Sequence, residues 1–349
     1  MNNLKTIIFK PTYSCNVRCK HCNVGDKKSL GKKVTPEEVV HYLSRFLAFL
    51  DYIGEECNAI DLVWHGGEPM TMGPDFYRKV NELLQRNFPH ITFIHGMQTN
   101  LLLYSSSWKD VFSNIFCGRI GTSYDFFSTI RPYSEETFLK VFKKYQDDLS
   151  SSSVVICILS KENEPYVEEI IEKSKNHGFW VKLNKLYIIG DAEKNNLTGF
   201  QLTLQEYFKC LKRAVEYYLK CGYPFYPYAY FLEDRQSFQR IRCDFGGLCI
   251  DSVFYINPFG DLYKCAVAEE YNLFKFGNLL KDDLNQIVYK YSKLKAITYL
   301  LPGDCLSCDI STLCGGGCLI LRWLYNKTFT RKSPYCEITK YMVSGLRPS

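Results

Sequence analysis

Sixteen of the 349 residues are cysteine, and they are unevenly spaced. Cys15, Cys19 and Cys22 form a C-x3-C-x2-C run. Eight more crowd the last third of the chain: Cys243, Cys249, Cys265, Cys305, Cys308, Cys314, Cys318 and Cys336. The remaining five (Cys57, Cys117, Cys157, Cys210 and Cys221) stand singly and read as small buried hydrophobes. Three thiolates in one short loop cannot fill the four corners of a [4Fe–4S] cluster, so one iron would stay open to another ligand. A structural zinc site would want a fourth ligand. His21 is on offer, but its place beside Cys22 suits a shared tetrahedron badly. The C-terminal eight suffice for two complete four-cysteine sites, and taken alone they would equally make two zinc ribbons.

The rest of the composition narrows the setting. The opening MNNLKTIIFKP has no apolar segment of a secretory signal. No uncharged apolar run approaches the roughly 18 residues of a membrane span. A cytoplasmic chain away from membranes is expected, and there cysteines serve as metal ligands before they form disulfides. The 43 basic and 37 acidic residues leave +6 with no long run of one sign, which argues against a nucleic-acid partner. Hydrophobic residues at 46% and charged residues at 23% exclude a disordered or collagen-like chain.

These groups need a scaffold. Strands are predicted at Lys5–Lys10, Ile60–Trp64, Ile91–Met97, Arg119–Ser123, Val154–Leu159 and Trp180–Ile189. Between and after them fall helical patterns at 35–50, Pro74–Arg86, Ser106–Ser113, Ser134–Tyr145, Glu164–Asn176 and Leu204–Lys220. The first of these opens on Thr35-Pro36-Glu37-Glu38, an N-cap followed by Pro and acids. Six strand–helix units imply parallel strands with crossover helices, an α/β fold in the form of an open, partial (β/α)6 barrel over residues 1–221. Ligands gather at the C-terminal ends of such strands. There lie the Cys15 loop after the first strand, Gly66-Gly67-Glu68-Pro69 after the second, Gln98-Thr99-Asn100 after the third and Ser123-Tyr124-Asp125 after the fourth. A Pro/Tyr-rich connector (222–241) follows. Cysteine and glycine then dominate 242–349, and helix periodicity is weak apart from Asp283–Ile297. A small metal-held domain is expected there, since little apolar material remains for a core.

The C-x3-C-x2-C loop after a first strand resembles the radical S-adenosylmethionine (SAM) enzyme superfamily. The resemblance implies that Cys15, Cys19 and Cys22 hold a [4Fe–4S] cluster whose open iron is chelated by SAM. It implies that Gly66-Gly67-Glu68 contacts the methionyl amino group. It also implies that Gln98, Asn100 and Ser123 line the SAM pocket, with Arg131 near the SAM carboxylate. His21 stands where the family usually has an aromatic residue. The C-terminal pattern, C-x15-C with Gly260 five positions before Cys265, then C-x2-C-x5-C-x3-C and a last cysteine, resembles the SPASM extension of these enzymes. That likeness implies two auxiliary clusters, one on Cys243, Cys249, Cys265 and Cys318 and one on Cys305, Cys308, Cys314 and Cys336. The implied chemistry is reductive cleavage of SAM to a 5′-deoxyadenosyl radical, hydrogen abstraction from a C–H bond, and a net two-electron oxidation. A flavodoxin- or ferredoxin-type protein would supply the electron.

SPASM enzymes mostly act on peptides or proteins. Trp64-His65-Gly66-Gly67-Glu68-Pro69 looks like the maturases of ribosomally made peptides, which form carbon–carbon or thioether crosslinks. The first strand begins by Lys5, leaving no room before it for an N-terminal peptide-recognition domain, so a separate recognition protein or direct recognition is expected. An anaerobic sulfatase maturase, which makes formylglycine, fits the cysteine spacing, but that family has a catalytic Asp directly after the cysteine matched by Cys265, and here Ala266 follows. A small-molecule dehydrogenase or epimerase is a further reading, and a non-enzymatic zinc or electron-transfer protein would need no GGE motif. No general base is identified; Asp125, Asp251, Asp261, Tyr263 and Lys264 are candidates by proximity to the motifs.

Overall fold

The computed structural model describes residues 4–149, 153–226, 228, 245–247 and 249–344. Cys243 lies outside the described residues. Six strands follow in order: β1 (Leu4–Phe9), β2 (Ala59–Trp64), β3 (Thr92–Gln98), β4 (Ile120–Ser123), β5 (Val154–Leu159) and β6 (Trp180–Lys185). All five neighbouring pairs are parallel. The crossovers carry α1 (Pro36–Tyr52), α2 (Pro74–Asn87), α3 (Glu135–Leu149) and α4 (Val167–Asn176). After β6 come the short α5 (Asp191–Lys194) and the long α6 (Leu204–Cys221). The expected α/β architecture with a parallel sheet core is present.

Alternation along each strand divides two environments. Ile7, Phe9, Ile60, Leu62 and Trp64 are fully buried under the helices. Phe9 and Trp64 meet at 5.2 Å, and Trp64 stands edge-on to Tyr77 of α2 at the same distance. The alternate side chains face the other way, toward the hollow where the loops converge. Helix α1 begins as its residues dictate: Thr35 and Glu38 form a reciprocal capping box and Pro36 occupies the first turn.

Two segments differ from expectation. Ser106–Ser113 is not a regular helix but a 3-10 turn at Ser106–Trp108 followed by a π-helical turn at Val111–Ile115. The wider turn lets Phe112 and Phe116 pack together at 5.8 Å, with Phe116 also edge-on to Tyr77 at 5.4 Å. β6 ends at Lys185 rather than Ile189. Beyond it the chain bends at Gly190 (φ 57°) so that the Asp191 amide reaches the carbonyl of Cys22. Among the single cysteines, Cys157 and Cys210 are buried as expected, whereas Cys117 is exposed at a positive-φ turn (φ 49°).

The C-terminal third is richer in core than its composition suggested. β7 (Val253–Ile256) pairs parallel to β1, and β8 (Asp261–Tyr263) and β9 (Lys275–Asn278) extend the sheet antiparallel, giving the order β6-β5-β4-β3-β2-β1-β7-β8-β9. Phe254 packs against Phe46 of α1 at 4.9 Å, and Tyr291 of the helix Leu284–Tyr299 stands edge-on to Phe49 at 5.2 Å. The core is therefore borrowed from the barrel, which a local count of apolar residues does not register. The remaining helices are α7 (Ala266–Glu270), α8 (Leu284–Tyr299), α9 (Ser311–Cys314), α10 (Leu319–Asn326) and α11 (Cys336–Ser344). No helix among the described residues is long and apolar enough to cross a membrane.

Candidate functional site

At the C-terminal ends of the parallel strands lies a cavity of about 380 Å³. Cys15, Cys19, Cys22, Gly66, Gly67, Glu68, Gln98, Asn100, Ser123 and Arg131 all line it, so four loops that are distant in sequence converge there. Ile156, Ile158, Lys182 and Asn184 from β5 and β6 form the opposite wall, and Val267 of α7 closes one side.

The cysteine loop is held from several directions. The Lys20 amide donates to the carbonyl of Ile130 (3.0 Å), Asn195 Nδ2 to the carbonyl of Lys20 (2.8 Å), and Asn100 Nδ2 to Asn16 Oδ1 (2.8 Å). The GGE turn lies directly beneath. The Gly67 amide donates to the carbonyl of Thr12 and the Glu68 amide to that of Ser14. A Cβ on Gly67 would collide with the Tyr13 and Ser14 carbonyls, and one on Gly66 (φ 147°) would come within 2.7 Å of Lys10 Cγ and the Thr12 carbonyl. The two glycines therefore exist so that this turn can rest against the chain entering the cysteine loop.

Glu68 is almost fully buried and tightly held. Its Oε1 accepts from Thr99 Oγ1 (2.6 Å) and the Met70 amide (2.9 Å), and its Oε2 from the Asn100 amide (2.7 Å). Burial nonetheless pushes its carboxyl up to about 7, the three donors only partly offsetting it. A cationic partner would find a desolvated, pre-aimed acceptor there. Gln98 Nε2 donates to Ser123 Oγ (2.9 Å), joining the ends of β3 and β4. Arg131 sends Nε to Asp125 Oδ2 (2.6 Å) and Nη1 to Cys19 Sγ (4.0 Å), so its charge sits at the cysteine loop.

His21 and Asp125 take positioning places. His21 Nε2 lies 3.6 Å from Asp125 Oδ2, and burial drives its imidazole down to about 4. Asp125 Oδ1 accepts from the Ile158 amide (2.7 Å), so this carboxylate is fully engaged. None of Asp125, Asp251, Asp261, Tyr263 and Lys264 lines the cavity. A group missed from sequence is Glu269 on α7, which accepts from Lys10 Nζ (3.0 Å), Asn257 Nδ2 (2.9 Å), Tyr13 and Tyr255. It ties the residues entering the cysteine loop to the helix capped by Cys265. The only local hint was a lysine, Lys10, ending an apolar strand.

The donor sets can be tested for what they would hold. Burial pushes the Cys15 thiol up to about 11 and the Cys265 thiol up to about 12, values that a metal would reverse. Cys15 feels the charges of Cys22 and Cys19; Cys265 feels that of Cys249; Cys305 feels those of Cys314, Cys336 and Cys308. Among the described residues no three His, Cys, Asp or Glu side chains converge on a point that one metal ion would occupy. Three thiols in the first loop would leave one corner of a four-iron cluster open to another ligand.

A parallel α/β sheet with three cysteines, a GGE turn and an arginine around one mouth defines a class. Residues 9–174, from the end of β1 into α4, match the model described as the Radical SAM superfamily, so this segment is similar to a radical SAM domain. Over 96% of its length the chain is 22% identical to 94% of the cysteine-type anaerobic sulfatase-maturating enzyme of Clostridium perfringens. Its fold is similar to that of native anSMEcpe with bound AdoMet and Cp18Cys peptide (TM-score 0.74, 17% identity, 98% of this chain and 96% of that one). It is also similar to Streptococcus suis SuiB bound to precursor peptide SuiA (TM-score 0.64, 14% identity, 95% and 75%). At these identities the structural likeness is one of fold.

Proposed function

We propose that this protein cleaves SAM reductively and oxidises a peptide or protein by hydrogen abstraction from a C–H bond, forming a crosslink in a ribosomally made peptide. When bound, the cluster and SAM would supply the radical chemistry. Cys15, Cys19 and Cys22 would ligate three irons, Glu68 would accept from the SAM amino group, Arg131 would face its carboxylate, and Gln98, Asn100 and Ser123 would position the rest. Residues 1–221 would form the SAM-binding part and 242–349 a SPASM part, joined by 222–241. The latter would hold two auxiliary clusters, on Cys243, Cys249, Cys265 and Cys318 and on Cys305, Cys308, Cys314 and Cys336. A flavodoxin- or ferredoxin-type donor and, where direct recognition fails, a separate recognition protein would complete the system.

The single observation that carries the reading is the convergence of the three thiols, Glu68 and Arg131 on one cavity. The peptide substrate is supported by relatives whose structures hold peptides. Crosslinking is favoured over formylglycine formation by Ala266, which puts no carboxylate after Cys265. Glu269, one turn further on, is occupied by Lys10, Asn257, Tyr13 and Tyr255 and is no substitute base. Sulfatase maturation is the second reading, favoured by full-length similarity to such an enzyme.

The test is anaerobic reconstitution followed by incubation with SAM, a reductant and two peptides: one encoded by a short neighbouring reading frame and one carrying a sulfatase signature. The expected result is 5′-deoxyadenosine together with loss of two hydrogens from the first peptide and no aldehyde. A hydrazine-reactive aldehyde on the second peptide alone would select sulfatase maturation. No 5′-deoxyadenosine from iron-replete protein would overturn both.

A further inference from the structure

Arg322 lies on α10, one turn after Cys318, and its side chain is 0% exposed. Nη1 donates to the carbonyls of Phe329 (2.8 Å) and Leu300 (3.4 Å). Nε and Nη2 are buried and have no acceptor. No carboxylate pairs with this guanidinium among the described residues. A buried charge without a counter-ion, and with two idle donors, is strongly unfavourable unless something else receives them. The groups whose charges act on it are the thiols of Cys305, Cys318 and Cys314, in that order. The influence is mutual: burial and the neighbouring cysteines push the Cys305 thiol up, while Arg322 pulls it back. The guanidinium also lies against the loop between Cys314 and Cys318, where a Cβ on Gly316 would stand 3.6 Å from Nη1.

We propose that Arg322 donates Nε–H and Nη2–H to sulfur of the iron–sulfur site ligated by Cys305, Cys308, Cys314 and Cys336, and that its buried charge raises that site's reduction potential. The inference rests on the auxiliary clusters proposed above. The step it serves is one-electron transfer. A cluster held there would take the electron as the substrate radical is oxidised and loses its proton to solvent, and the guanidinium would face the added negative charge. Hydrogen bonds to cluster sulfur and nearby charge are among the protein's means of setting such potentials. Arg322 is thus a positioning and tuning residue that makes the second auxiliary site an electron acceptor.

The test uses full-length protein in a Cys15/Cys19/Cys22→Ala background, so that only auxiliary clusters contribute signal. Arg322→Gln and Arg322→Lys are compared with their parent by iron and sulfide content and by redox titration followed with electron paramagnetic resonance. In Arg322→Gln one couple should fall to lower potential, at least a tenfold loss of the reduced-to-oxidised ratio, which is about 59 mV for one electron. Arg322→Lys keeps the charge but not the fork, and should shift less in the same direction. An unchanged midpoint in Arg322→Gln at parental iron content would overturn the proposal. If Arg322→Gln fails to hold iron, Arg322→Lys decides: a lowered potential supports the proposal and an unchanged one refutes it. A parent without auxiliary iron would instead refute the cluster assignment itself.

Discussion

Replacing Glu68 by Gln probes the site with least change of shape. In the wild type both carboxylate oxygens accept from Thr99 Oγ1 and the Met70 and Asn100 amides. A Gln amide must turn its NH2 toward one of these donors, and a buried donor without an acceptor costs about 1–3 kcal/mol. It also removes the negative partner for the SAM amino group; a hydrogen bond to a charged group is worth about 1.5–3 kcal/mol, or ~10- to 150-fold in Kd. The pH dependence follows from the carboxyl rising from 4.5 to about 7 through burial. The neutral form is favoured in the folded protein, a contribution fully present below pH 4.5 and lost as pH rises through about 7. At ~1.4 kcal/mol per pH unit, ionising Glu68 costs the SAM-free protein ~3 kcal/mol, which a cationic ligand would relieve. SAM binding to anaerobically reconstituted protein should therefore tighten as pH rises to about 7 and then level off. Glu68→Gln should bind more weakly, and the difference between the two curves separates Glu68 from the titration of SAM itself. Equal affinity of both proteins across pH 6–8.5, at equal iron content, would refute the role given to this carboxylate.

Wild-type protein should hold about twelve irons after anaerobic reconstitution, and the Cys15/Cys19/Cys22→Ala variant about eight, with SAM cleavage abolished; iron assay and chromatography of 5′-deoxyadenosine check both. Gly67→Ala sets a Cβ against the Tyr13 and Ser14 carbonyls. Thermal denaturation should show a loss of ~1–3 kcal/mol, with SAM binding weakened through the displaced cysteine loop. Glu269 is held down to about 2, with Lys10, Tyr13, Tyr255 and Asn257 outweighing its burial. Its stabilisation is complete above pH 4.5 and lost as pH falls through about 2, so Glu269→Gln should lower Tm at pH 7 and flatten the acid limb of a stability–pH curve.

Local signals placed most of the scaffold. The Thr35–Glu38 capping box, the apolar runs and their alternation with helical patterns are statements about neighbouring residues, and they located β1 to β6 and the ends where Cys15, Glu68, Gln98 and Ser123 stand. What escaped was set by distant partners. Nothing around Val253 says that it pairs with Thr6. Ile188 and Ile189 are apolar enough for a strand, yet that segment is diverted to clamp Cys22. Asp125 lies in a motif expected to be functional but is absorbed by Arg131, His21 and the Ile158 amide. Arg322 looks like one more cation on a helix until its burial is seen.

The pairing of β7 with β1 sets a timetable. The strand that delivers the three-cysteine loop receives one of its two neighbours from residues made much later; Lys5 bonds to the Asp251 carbonyl 246 positions away. A ribosome emits ~5–20 residues per second, so the first cysteines wait many seconds without the support of β7 and of Glu269, the partner of Lys10. Closing so long a loop also slows folding relative to neighbouring βα units. Iron offered before β7 and Glu269 are made would meet a half-walled loop.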